Sequence, residues 1–250
     1  VVDYFNYCSY YLFSPGNHDY DMCVDVLKDI VKSVKGQFIC SNIIYEDTKE
    51  NVEYLKPYTI LEFGSLKIGV FGLLTEYMKG MTTPERFKNH TVISEIETAK
   101  RYVDTLKAKG VDLIFAMTGI GLRRDKRLAE NVPGIDVIFG SHSATALEEP
   151  YEDSINHTII CQNYSHLTSI GFLDLKIDKK TKKIKAYRGE LIDVMTDEIE
   201  LDTVLLNKLY RWEQETNKGF DEVIGYAKKE LTRAGFEESP MGNLVTDAMR

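Results

Sequence analysis

No run in this chain approaches the roughly 20 consecutive apolar residues that a helix needs to cross a bilayer, so no membrane-spanning helix is expected. An excess of positive charge is also missing. Lys and Arg number 31 against 39 Asp and Glu, a formal net charge of −8 spread along the chain, which argues against affinity for nucleic-acid backbone or an anionic membrane. The four cysteines, Cys8, Cys23, Cys40 and Cys161, lack the short paired spacing of zinc-knuckle or redox motifs and are expected as buried thiols. The chain opens at Val1 with neither a Met nor a charged-then-apolar leader, so any signal segment is expected to have been removed or never to have been there.

What is present suits a globular enzyme domain. With 43% hydrophobic and 28% charged residues in 250, the chain can bury a full core as one large domain. The most informative stretch is Pro15-Gly16-Asn17-His18-Asp19-Tyr20-Asp21, directly after the apolar run Tyr11-Leu12-Phe13-Ser14. A short strand ending in a glycine turn delivers an amide oxygen, an imidazole and a carboxylate to one point, where an open α/β sheet keeps its sites. Asn17 offers a carbonyl oxygen to a divalent cation, and His18 a proton to a leaving oxygen. Asp21 lies three residues beyond His18, a helical spacing that lets its carboxylate fix the imidazole tautomer. The alternative reading of the same residues is a polar Asx turn that caps a helix over 22–34.

Elsewhere the patterning alternates between strand and helix. Strands are expected at 11–14 and 37–43, and a hairpin at 58–63 and 66–74 turns through Gly64-Ser65. A helix over 94–109 carries Ile96, Ala99, Tyr102, Val103 and Leu106 at helical spacing and ends at Gly110. Short buried-type strands at 112–117 and 135–139 flank a helix at 125–131. The segments 159–162, 169–177 and 184–194 are expected to close the domain as a more antiparallel sheet, with the charge run Asp178-Lys179-Lys180-Thr181-Lys182-Lys183 as an exposed hairpin turn. Past Asp202 comes a polar amphipathic helix over 204–216 holding the single Trp, Trp212. His90, in a polar stretch, is read as solvated. Arg123-Arg124 is read as solvated or as steering anions, His166 as a turn residue, and Tyr164 as a residue that can stack on a base.

The Pro15–Asp21 block resembles the Gly-Asn-His-Asp/Glu block of the calcineurin-like metallophosphoesterases, and its flanks resemble their 5'-nucleotidase branch. Val2-Asp3-Tyr4-Phe5-Asn6-Tyr7 stands where that family has a helix leading into the motif strand. Ser41-Asn42-Ile43 is similar to its Ala-Asn-Ile strand end. Asp125-Lys126-Arg127-Leu128-Ala129 and Val132-Pro133-Gly134-Ile135-Asp136-Val137-Ile138 lead into Gly140-Ser141-His142-Ser143, similar to its Gly-Gly-His-Thr/Ser block. The stretch from Glu238 to Ala248 resembles the opening of the second, nucleotide-binding domain of 5'-nucleotidases.

The resemblance implies an α/β fold, a four-layer α/β/β/α sandwich, with a metallophosphoesterase domain over 1–201, a linker helix region over 202–232 and the start of a second domain over 233–250. It implies a metal-dependent phosphohydrolase acting on nucleotide phosphoesters through two divalent ions (Mn, Zn or Fe), with Asn17 and His142 as metal ligands and His18, oriented by Asp21, as general acid. A nucleotide or other small phosphoester is the expected partner, with no nucleic acid and no membrane span, and location is expected to be exported or at the cell surface. The family's first ligands, an Asp-x-His and a bridging Asp, would lie upstream of Val1. Within the chain two ligand positions depart from the pattern: Gly119 stands where the family has His, and Ala144 where it has His or Gln. That departure supports a second reading, a degenerate relative that keeps the fold for binding or scaffolding.

Overall fold

The computed structural model describes residues 2–195, 197, 199–220 and 222–250. The chain divides into two compact units, Val1–Ile199 and Glu200–Arg250.

In the first unit the elements run α1 (Val2–Tyr7), β1 (Leu12–Phe13), α2 (Val24–Ser33), β2 (Gln37–Phe38), β3 (Ile43–Tyr45), β4 (Tyr58–Phe63), β5 (Leu66–Leu74), β6 (His90–Val92), α3 (Glu95–Ala108), β7 (Leu113–Gly119) and α4 (Leu122–Asn131). They continue with β8 (Val137–Gly140), β9 (Tyr151–Glu152), β10 (Ile159–Gln162), β11 (Ser169–Ile177) and β12 (Ile184–Asp193). The central sheet has the order β4-β5-β7-β8-β10-β9. Strands β5, β7, β8 and β10 are mutually parallel, and β4 and β9 close the two edges antiparallel. In β5 every residue from Ile68 to Leu74 is buried, the near-continuous apolar run of a parallel strand covered on both faces.

One face of this sheet packs on α3 and α4. Helix α3 is capped by Ser94, whose Oγ accepts from Glu97 N, and buries Ala99, Tyr102, Val103 and Leu106 at the i, i+3, i+4, i+7 spacing of a single apolar stripe. The other face, through Ile68, Val70 and Leu113, meets Leu12, Ile39, Ile177 and Ile184 of the β1–β2 and β11–β12 ladders. Beyond β1 and β2, α1 and α2 seal a third cluster around Phe13, Leu27 and Phe38. The result is the expected α/β/β/α layering.

Several local expectations need correction. The segment 37–43 is two strands rather than one, because the backbone breaks at Ser41-Asn42 and both side chains turn inward, fully buried. Asn42 donates Nδ2 to Leu74 O at 2.7 Å and Ile93 O at 3.2 Å, and its Oδ1 accepts from Leu74 N at 2.9 Å. After this rivet the chain pairs with β6 instead of continuing beside β1. Segment 159–162 joins the main sheet parallel to β8, so of the three segments only 169–177 and 184–193 pair with each other, as the antiparallel β11–β12 hairpin. His90 is not solvated. It is 4% exposed, placed opposite Tyr45 by the β3–β6 register and ringed by Tyr45, Tyr54 and Phe87, with Nδ1 donating to Lys88 O at 2.6 Å. Burial pushes its pKa down. Of the cysteines only Cys40 is buried; Cys8 is exposed. The run 178–183 does form the β11–β12 turn, with Asp178 Oδ1 accepting from Lys180 N and Thr181 N.

The second unit holds α5 (Thr203–Thr216), capped by Asp202, and α6 (Pro240–Met249), capped by Ser239 with Pro240 in its first turn. Among the described residues no helix is long and apolar enough to cross a membrane.

Candidate phosphoester site

Pro15–Asp21 lies beside the carboxyl ends of β7 and β8: a β-carbon added to Gly119, the last residue of β7, would stand 3.5 Å from Pro15 O. Residues Asn17–Tyr20 form their own 3₁₀ turn. Asp19 Oδ2 accepts from Gly16 N at 2.7 Å and closes the turn from below, while Tyr20, fully buried, anchors it edge-on against Phe87. The turn does not cap α2, whose N-cap is Cys23 with no side-chain hydrogen bond. A 3₁₀ turn eclipses residues three apart. It therefore sets His18 Nδ1 2.8 Å from Asp21 Oδ2. With His18 85% exposed and Nδ1 committed to Asp21, Nε2 is free to meet a bound molecule.

His142 arrives from the other side of the fold. Its Nδ1 is 3.1 Å from Asn17 Oδ1, a contact across 125 residues. The loop that carries it is tied at several points: Ser141 Oγ donates to Thr118 O, Gly121 N to Ser141 O, and Leu122 N and Gln162 Nε2 to Ser143 Oγ. Both His142 (φ 82°) and Ala144 (φ 46°) are held at positive φ, uncommon for residues with a side chain. The four residues singled out from the sequence thus form two pairs, His18 with Asp21 and Asn17 with His142, joined through adjacent residues of one turn. A cavity of about 510 Å³, lined by Ser14, Thr118, Ser141, Gln162 and Tyr164 among others, reaches Ser141 beside His142, but none of the four lines it.

Asn17 Oδ1 and His142 Nδ1, an amide oxygen and an imidazole nitrogen 3.1 Å apart, are donor types that borderline divalent ions take. Among the described residues no three or more His, Cys, Asp or Glu side chains gather to hold a metal ion, so these residues do not make up a two-ion set. The oxygen donors nearest to the two departed positions are already engaged: Thr118 Oγ1 donates to Asp125 Oδ1, and Ser143 Oγ takes two hydrogen bonds. His157 sits at the opposite, amino end of β10, against Glu152. His166 is an exposed turn residue at φ 57°. Arg124 neither steers anions nor stands in solvent. Its guanidinium binds Glu95 and Glu76 and lies over the Tyr77 ring.

Two residues of this region escaped sequence reasoning. Asp125 and Gln162, 0% and 1% exposed, lie behind the His142 loop. An acidic residue in the first turn of a helix reads as a dipole partner, and Gln162 as the end of a strand. Only their shared burial gives them away.

No known protein-family profile matches the chain. It is 26% identical over 272 residues to a snake venom 5'-nucleotidase from Naja atra, covering 100% of this chain and 51% of that protein. It is 27% identical over 259 residues to the endonuclease YhcR of Bacillus subtilis, covering 94% of this chain and 21% of that protein. Among solved structures, the 5'-nucleotidase precursor of Thermus thermophilus superposes with a TM-score of 0.82 at 24% identity, over 99% of this chain and 52% of that one. The chain spans about half the length, or less, of the curated relatives it matches. Its relatives are 5'-nucleotidases and phosphoesterases, and its fold is theirs.

Proposed function

We propose that the protein is a metal-dependent phosphohydrolase of the 5'-nucleotidase type that acts on phosphoesters of small nucleotides. The observation that carries this reading is the pairing of His142 with Asn17 beside the His18–Asp21 pair, at the carboxyl end of the parallel strands. Asn17 Oδ1 and His142 Nδ1 are the donors this chain offers to a Mn, Zn or Fe ion. Such an ion, when bound, polarises a phosphoryl oxygen and lowers the pKa of a bound water. Asp21 orients the His18 ring through Nδ1, and in this role the ring donates a proton from Nε2 to the leaving oxygen. The net charge of −8 favours a small nucleotide over a nucleic-acid backbone. The name of the venom relative supports an exported or cell-surface location. The division near Glu200 supports a separate role for the residues that follow, as the linker and opening of a nucleotide-binding domain.

The general-acid role is tested by leaving group. His18→Ala should lower turnover on AMP by about 10²–10⁴. On an aryl phosphate, whose leaving group needs no proton, the loss should be much smaller. Equal losses on both substrates contradict the role. Turnover on single-stranded DNA but not on AMP would replace the nucleotide reading with that of the endonuclease relative.

A second reading keeps the fold for binding or scaffolding without efficient hydrolysis. Gly119 and Ala144, which bring no donor to the site, favour it.

A further inference from the structure

Two buried acceptor oxygens without a partner lie behind the site, both close to Gly140. Asp125 Oδ1 accepts from Thr118 Oγ1 at 2.6 Å, but its Oδ2 has no partner. Gln162 donates Nε2 to Ser143 Oγ at 2.8 Å, but its Oε1 has no partner. Both bare oxygens converge on Gly140: a β-carbon there would collide with Asp125 Oδ2 and stand 3.4 Å from Gln162 Oε1. Glycine is required at Gly140 because this space belongs to the two side chains. Buried polar atoms are almost always paired, and one acceptor cannot satisfy another without a proton. A single proton placed between them satisfies both.

The surrounding charges favour that proton. From α3, Glu95 faces Asp125 with the same sign. On α4 itself, Arg124 is spent on Glu95 and Glu76, and Lys126 lies over the Tyr151 ring. From β10, the Cys161 thiol is pushed up to about 11 by burial and is neutral. Strands β7 and β8 present Thr118 and Gly140, and His142 lies beyond Gly121. Among the described residues no cation acts on the Asp125 carboxyl to hold it ionised.

We propose that Asp125 is a neutral acid in the folded protein at mildly acidic pH, donates its proton to Gln162 Oε1, and with Gln162 forms a positioning pair for the His142–Ser143 loop. The hydrogen bonds run from Thr118 to Asp125, from Asp125 to Gln162, from Gln162 to Ser143 Oγ, and from Leu122 N to the same Oγ. Burial, which pushes the Asp125 carboxyl up to about 7, agrees with this geometry. The folded-state pKa stands above the unfolded one. Hence the stability from this group is full below about pH 4 and is lost as pH rises through the folded value. The pair needs neither metal nor substrate, so it stands apart from the proposed reaction.

The test is a carbon-13 NMR titration of the Asp125 carboxyl in the intact protein, with the Leu122 amide followed in parallel. The expected result is a midpoint near pH 7, with the Leu122 amide shift moving at the same midpoint. Asp125→Asn keeps the acceptor for Thr118 and supplies an NH for Gln162. It should leave the Leu122 amide flat with pH. The ratio of unfolding constants, wild type over variant, should rise about tenfold per pH unit between about pH 5 and 7. Asp125→Leu, with neither bond, should expose the Leu122 amide to exchange. A carboxyl midpoint at or below about pH 4.5, with a flat stability ratio, would mean an ionised Asp125 facing a flipped Gln162 amide and would overturn the proposal. If Asp125→Asn does not fold, the wild-type titration decides alone.

Discussion

A β-carbon added at Gly119 would stand 3.5 Å from Pro15 O, 3.7 Å from a Leu74 methyl and 3.8 Å from Leu73 O, all ordinary contacts. The backbone there tolerates a side chain that the sequence does not supply. Ala144 already holds its left-handed conformation, one that His adopts more readily than most residues. Gly119→His with Ala144→His should therefore fold and should raise Mn²⁺ or Zn²⁺ affinity by about tenfold or more, since even groups that only support metal ligands carry about 10–100-fold. Unchanged affinity by calorimetry would show that these positions are not where metal donors are missing. The four candidate residues stood out in the sequence because they lie in compact motifs, Gly-Asn-His-Asp and Gly-Ser-His-Ser. Their pairing did not, because 125 residues separate Asn17 from His142. Asp125 and Gln162 were illegible for the same reason, since nothing local distinguishes a buried polar side chain from a solvated one.

Among the elements, α3 and the β4–β5 hairpin were readable to within a residue or two. Each carries its own signal: Ser94 as cap and Gly110 as stop for the helix, Gly64-Ser65 as the turn. The break at Ser41-Asn42 carries none, because the bonds that make it reach Leu74 and Ile93. Asn42→Leu should strand these buried backbone groups and cost at least about 2 kcal/mol in urea unfolding, against near-neutrality if Asn42 were only a turn residue. The α3–α4 contact depends in the same way on Arg124 and Glu95, whose side chains are 19% and 6% exposed. Arg124→Met leaves Glu95 buried without its cation and should cost about 3 kcal/mol at about pH 8. Burial holds the Glu95 carboxyl above its ordinary range even with Arg124 present. In the variant a proton then relieves the unpaired charge, so the deficit should shrink as pH falls toward about 5. A pH-independent deficit would assign it to lost packing.

For the whole molecule, the α/β/β/α layers of the first unit bring loops distant in sequence to one edge of a parallel sheet, where open α/β folds keep their sites. The layering followed from the alternation of strand and helix, and the likeness to 5'-nucleotidases from the ordered motifs. The superposed structure agrees on the fold. The chemistry is the central claim. Its most direct test is the metal content of the purified protein, dialysed and then supplied with Mn²⁺ or Zn²⁺, measured together with turnover on AMP. Bound metal with metal-dependent release of phosphate is the predicted result. Less than one ion per molecule and no turnover would contradict it and leave binding or scaffolding as the role of the fold.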